Sequence, residues 1–204
     1  GLVYHQQERN EEALGLLDKA IPELDRIEPD GRFVVLARIY RARTRLDLGD
    51  LTGARRDLDE ALALRSRPEQ AADGDRRLAR LDLANLEFVA GNYAEVERLT
   101  REILPELLAS HGERNDNSIW ARQLLAGALN RLGRPAEAEP IARRNAEVAA
   151  EWIGQGSGFH IASLILLEDA LWGMGQRDAS LATYRDLIEL SQHAEVDADT
   201  YVVI

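Results

Sequence analysis

Cysteine is absent from the 204 residues, which excludes disulfides, thiolate metal sites and cysteine nucleophiles, and fits a reducing compartment. Lysine is almost absent as well. Lys19 is the only one, so nearly all the positive charge is carried by arginine, which points to a GC-rich genome more than to a binding chemistry; a bacterial source is expected. No apolar run approaches the length that spans a bilayer, and the N-terminal Gly1-Leu2-Val3-Tyr4 lacks the basic and apolar regions of a signal peptide. A cytoplasmic setting is therefore expected. His5, His111, His160 and His193 form no HxxxH or HExxH pair, and no Ser, His and Asp set stands out. Neither a metal, a cofactor nor catalysis is expected.

What is present is the composition of an ordinary globular chain, 45% hydrophobic, with enough length to bury a substantial core. Acidic residues outnumber basic ones 36 to 25, for a net charge of −11. That balance opposes binding to nucleic acid or to an anionic membrane.

Compared with itself, the chain repeats. "LDLGDLTGA" carries Gly49, "FVAGNYAEV" Gly91, "NRLGRPAEA" Gly133 and "WGMGQRDAS" Gly175, each 42 residues after the last. Five residues beyond each glycine stand Ala54, Val96, Ala138 and Ser180. The stretch before each glycine is apolar at helical spacing, as in Leu164, Leu167, Leu171 and Met174. So is the stretch after it, as in Leu58, Ala61 and Leu62. The unit reads as helix, tight turn, helix and a polar connection.

Each marked position has a physical role. The glycine can adopt the left-handed conformation that closes a helix, and Pro135 suits the first turn of the helix that follows. The small residue after it lets two helices approach closely. The stretches "RSRPEQAADGD", "LLASHGERNDN" and "AAEWIGQGSGF" share one register and read as connections, with Asn117 or Ser118, and Ser157, as N-caps. Within the last of these, "GQGSG" at 154–158 lacks the preceding strand of a phosphate-cradling loop and reads as a flexible connection. Pro22, Pro105 and Pro140 should kink their helices or end them early.

The small residues at Ala42, Ala84 and Ala126, the turn glycines, the positions 54, 96, 138 and 180, and a further slot at Ala61 or Ala20 together resemble the tetratricopeptide repeat (TPR). With the 42-residue spacing and the run "GRPAEAEPIARR", the chain is most similar to the longer kinesin-light-chain type of that repeat. Glu168 departs from the pattern at a small slot, and Asn145 and Leu187 replace the final alanine. The resemblance implies an all-α superhelix, a TPR solenoid of antiparallel helix pairs with about four full repeats and partial repeats at both ends. The expected divisions are a partial repeat at 1–30, repeats at 31–73, 74–115, 116–157 and 158–199, and the start of a further helix at 200–204, where Tyr201 shares the register of Phe33 and Phe159. Residues 2–8 would be the latter half of a first helix, and the whole a fragment of a longer array.

The resemblance also implies a binding role, as a protein-protein interaction scaffold whose concave face takes a peptide or partner protein; the fold does not name the ligand. Carried over by register, the peptide-binding candidates are Tyr40, Arg43, Asn85, Gln123, Asn130, Arg131, Asp169 and Trp172, a mixture of amide, charged and aromatic groups that suits an extended peptide backbone. With so little lysine, the two-lysine carboxylate clamp of chaperone-binding members is not available. An alternative is a peptide-sensing regulatory domain that controls an attached DNA-binding, kinase or protease domain. Self-association through exposed repeat ends is open to either. Arg38, Arg41 and Arg45, on one face of "RFVVLARIYRARTRLDLGD", could dock an acidic partner, but a solvated face paired with neighbouring acids is the expectation.

Overall fold

The computed structural model describes residues 2–29, 31–63 and 70–193, which contain helices and connecting turns and no strand. In chain order the helices are α1 (Leu2–Ile27), α2 (Arg32–Asp47), α3 (Leu51–Ala63), α4 (Gln70–Val89), α5 (Tyr93–His111), α6 (Asp116–Arg131), α7 (Pro135–Trp152), α8 (Gly158–Gly173) and α9 (Arg177–His193). They form two compact units, one running to Ala90 with α1–α4 and one from Gly91 with α5–α9.

In the first unit α2 packs against α1, α3 and α4. Its core is built from the small and branched positions of the repeat. Val35, Ile39, Ala61 and Ala79 form one cluster, and Ala42, Ala54, Leu58 and Leu86 another. In the second unit α6 and α8 touch each other directly, and α7 packs on both. Leu125, Ala126, Leu129, Ala138, Ala142, Leu167, Ala170 and Leu171 close the space between these three helices. The positions five beyond each glycine, Ala54, Val96, Ala138 and Ser180, are all buried, as a close helix approach requires.

The turns answer the question the glycine pattern poses. At Gly133, φ is 72°, Gly133 N donates to Asn130 O at 3.0 Å and Arg134 N donates to Leu129 O at 2.9 Å. These are the two bonds of a Schellman closure, which satisfies carbonyls at the end of α6. The same pair of bonds recurs at Gly49 and Gly175, and Gly91 shares the positive φ. A Cβ at Gly133 would meet nothing within 4 Å, so Gly133→Ala should lose stability through backbone strain alone. A drop of about 1–2 kcal/mol in urea unfolding is expected. An unchanged midpoint would count against this account of the period.

Several expectations from sequence are corrected. Residues 2–8 do not belong to a separate first helix, because α1 runs unbroken from Leu2 to Ile27. Gln7 holds the register of the turn glycine, and without a left-handed residue there nothing stops the helix. Of the two effects expected of Pro22, Pro105 and Pro140, the early helix end does not occur, because all three lie inside helices that continue past them. The downstream turns are held by tertiary packing, with Leu107 buried after Pro105 and Ala142 after Pro140. The connections are shorter than their composition suggests. α4 already begins at Gln70, α5 extends to His111 and α7 to Trp152, each absorbing residues read as loop. Residues 64–69, and the expected helix start at 200–204 with Tyr201, lie outside the described residues.

Caps differ in one place. Ser157 does cap α8, its side chain accepting from His160 N. The cap of α6 is Asn115 and not Asn117 or Ser118. Its Oδ1 accepts from both of their backbone nitrogens, while Ser118 Oγ donates to Gly112 O. The departures in the last repeats have partners as well. Glu168, in a slot expected to be small, accepts a 2.6 Å bond from Ser180 Oγ. Asn145, in a slot expected to be alanine, is buried and donates to Ile119 O and to Ser163 Oγ.

Candidate functional site

The arginine face of α2 is heavily bonded. Arg38 bridges Asp25 of α1 and Glu60 of α3. Arg41 bridges Asp18 of α1 and Asp57 of α3, and Arg45 reaches the same Asp57 at 2.7 Å. Pairing with acids is as expected, but the face is not solvated. All three arginine side chains are close to nine-tenths buried. Burial and a fixed, forked set of bonds make these guanidinium groups part of the framework, and no docking stripe remains.

Two helix faces retain the candidate residues. In the first unit, Tyr40 is half exposed, at 51%. One turn on, Arg43 lies over its ring, 5.8 Å from the centroid, and donates to both oxygens of Asp82 on α4 at 2.7 and 3.0 Å. Asp82 is almost wholly enclosed. Burial pushes its carboxyl up to about 6, against the opposing pull of Arg43. Burial also raises Asp47, again opposed by Arg43. Asn85, one turn after Asp82, is half-buried. Arg43 is thus held by an internal acid, and of the three candidates in this unit Tyr40 is the most exposed.

In the second unit the candidates divide. Gln123 is only 3% exposed and donates to Phe159 O and Ser163 Oγ, so it ties α6 to α8 and does not face solvent. Asn130 does similar work, donating to Leu166 O at 2.9 Å. Arg131, at the end of α6, and Asp169, on α8, are exposed. One turn beyond Asp169, Trp172 is 53% exposed. The guanidinium of Arg177 stacks on its indole, 3.5 Å from the centroid, and donates to Trp172 O. A tryptophan left half outside the core, with one face braced by a cation, offers a rigid apolar plane at low entropic cost.

Register arithmetic had no means of identifying Arg177, because its contact crosses the α8–α9 turn. Phe33, 69% exposed on α2, was recognised for its register but not as a surface group. His160 is held below its usual pKa by burial, and its Nδ1 accepts from Gly156 N in the α7–α8 connection. That bond, together with the Ser157 cap, accounts for the "GQGSG" stretch as an ordered connection. Among the described residues no group of three or more His, Cys, Asp and Glu side chains is placed to hold a metal ion, and no helix is long and apolar enough to cross a membrane.

No known family's sequence profile matches the chain, and no curated protein is similar to it in sequence. Solved structures are similar in fold. A Podosopora anserina protein described as a putative kinesin light chain with nearly identical TPR-like repeats superposes with a TM-score of 0.73 at 16% identity, covering 96% of this chain and 94% of that one. A singly substituted form of the same protein gives 0.75, again at 16% identity, over 95% and 94%. BtubC (BKLC) from P. vanneervenii gives 0.73 at 16% identity, over 97% of this chain and 76% of that one. The fold is therefore that of a TPR-like repeat solenoid, all-α and built from antiparallel helix pairs.

Proposed function

We propose that this chain is a protein-interaction scaffold, and that the exposed faces of its first-type helices take up a peptide or a segment of a partner protein. The observation that carries this reading is Trp172, half exposed beside Asp169 and braced by Arg177. An aromatic side chain of that size, held rigid outside a core, is a common centre of interface binding energy. Within the first unit, Tyr40 on α2 supplies a plane of the same type with Asn85 as a polar group of that unit, and within the second Arg131 is an exposed polar group. Gln123, Asn130 and Arg43 support the scaffold by holding helices together and are not assigned to the ligand. The role is non-catalytic and set in the cytoplasm. A repeat fold of this kind generally binds proteins or peptides, in keeping with the reading.

A peptide-display selection on the whole chain provides the test. For peptides so selected, Trp172→Ala is expected to weaken binding by about 2 kcal/mol, roughly thirty-fold in Kd, with a smaller loss for Asp169→Ala or Tyr40→Ala. If none of the three substitutions moves the affinity of any selected peptide, these faces are not where partners bind.

A further inference from the structure

Among the described residues of the second unit, α5 and α7 have no close backbone approach. α5 packs on α6, α7 packs on α6 and α8, and α6 meets α8 directly. Leu104 of α5 rests on the edge of the Leu125–Leu129–Ala138 cluster. Across the joint between α5 and the start of α7, four charges form a closed ring. Glu97 accepts from Arg101 at 2.8 Å and from Arg134 at 2.6 Å, and Glu137 accepts from Arg134 at 2.7 Å and from Arg101 at 3.2 Å. Each side supplies one acid and one base, so two of the four bonds cross the joint. Arg101 and then Arg134 hold Glu97 below the usual carboxylate range, and Arg134 and then Arg101 do the same for Glu137. Further along, Arg144 of α7 reaches Glu113 at 2.7 Å, beyond the end of α5.

Within the described residues of the second unit, the next joint does not repeat the ring. Forty-two residues on, Glu139 and Arg143 repeat the Glu97–Arg101 pair at 2.6 Å. Gln176 and Ala179, however, stand where Arg134 and Glu137 would be needed. The α7–α9 joint therefore cannot close a ring. The two joints also differ from the α1–α3 link, where the bridging arginines are buried. Here Arg101, Arg134 and Glu137 are each about half exposed. Exposed pairs are individually weak and are screened by salt.

We infer that the Glu97–Arg101–Glu137–Arg134 ring is an ionic latch that sets the spacing of α5 and α7, and that raised ionic strength releases it so that α7 pivots on the α6–α8 contact. The fulcrum on the other side, with Gln123 bonded to Phe159 O and Asn130 to Leu166 O, is buried and does not respond to salt. The latch thereby makes the curvature of one joint adjustable while its neighbour stays fixed.

Because the chain has no cysteine, two nitroxide labels can be placed uniquely. Ala94→Cys on α5 and Ala136→Cys on α7 are exposed, register-equivalent sites across the latch. Ala136→Cys with Asp178→Cys spans the joint without a ring. Pulsed-EPR distances would be taken at about 0.01 M and about 1 M NaCl, where the Debye length falls from about 30 to about 3 Å. The 94–136 distribution is expected to lengthen and to roughly double in width at high salt, while the 136–178 distribution stays unchanged. Arg101→Gln with Arg134→Gln should show the wide distribution already at low salt. The latch is overturned if the 94–136 distribution responds no more than the 136–178 one, or if the folded double variant keeps the parent's narrow distribution. Should that variant not fold, the salt response of the parent decides alone.

Discussion

Asp57→Ala is expected to cost about 3–5 kcal/mol, a large fraction of the roughly 5–15 kcal/mol that holds an ordinary domain together. Asp57 is fully buried, and three bonds converge on it, two from Arg41 at 2.6 and 2.9 Å and one from Arg45 at 2.7 Å. Removing the carboxylate leaves two enclosed guanidinium groups facing each other. Their remaining acids, Asp18 and Asp50, are about half exposed, and for Arg45 they lie 3.7 Å away. Breaking a buried pair from one side is far more damaging than never having made it. Replacing all three partners together, as Asp57→Leu with Arg41→Leu and Arg45→Met, should therefore recover much of the loss. Urea unfolding of the single and triple variants checks both halves. A loss below about 1 kcal/mol for Asp57→Ala would mean that water already reaches the site.

The second large effect is in pH. Asp82 has its carboxyl raised to about 6 by burial, above the 3.8 of an unfolded chain. Between those two values the folded state holds a proton that the unfolded state has lost. Stability linked to this group is then highest below 3.8 and falls as pH rises through 6, by about 3 kcal/mol in all. Glu97, Glu113 and Glu137 have the opposite sign. Their arginine partners lower them, so their contributions are present at neutral pH and lost on acidification. The whole-protein profile mixes both trends, and the difference between the parent and Asp82→Asn isolates the first. That difference should shift against the parent as pH rises from about 4 to about 6.5. A difference independent of pH would show that Asp82 is ionised throughout, with Arg43 outweighing its burial.

What the sequence revealed of this fold follows from which choices are local. A left-handed turn demands glycine, so the closures at Gly49, Gly133 and Gly175 were visible as a period before any packing was known. A helix can run on without a signal to stop it, which is why the unbroken α1 was missed at Gln7. The cap of α6 lay hidden in "NDNS", where each of four consecutive side chains is able to cap. Only the extended backbone at Asn115 selects one of them.

The candidate face was harder to read for a specific reason. Ala121 through Leu129 are buried without interruption, the polar Arg122 and Gln123 included, so polarity along that stretch does not mark an exposed side. Gln123 was assigned outward on repeat register and turned inward to bond Ser163. Trp172 and Asp169, by contrast, lie exposed on α8. Side-chain partners were not legible at all. Arg38 selects acids 13 residues before it and 22 after it, a choice made only once three helices are packed.

The double-ended arginines of α2 bear on how such a chain can be cut and rejoined. A break near residue 30, where the repeat begins, would leave Asp18 and Asp25 on one piece and Arg41 and Arg38 on the other. A replacement unit spliced in after that point would arrive with its cations mismatched to the acids before it. The 42-residue period is thus the unit of geometry, while the ion pairs tie α1, α2 and α3, and through Arg43 and Asp82 also α4, into a larger one.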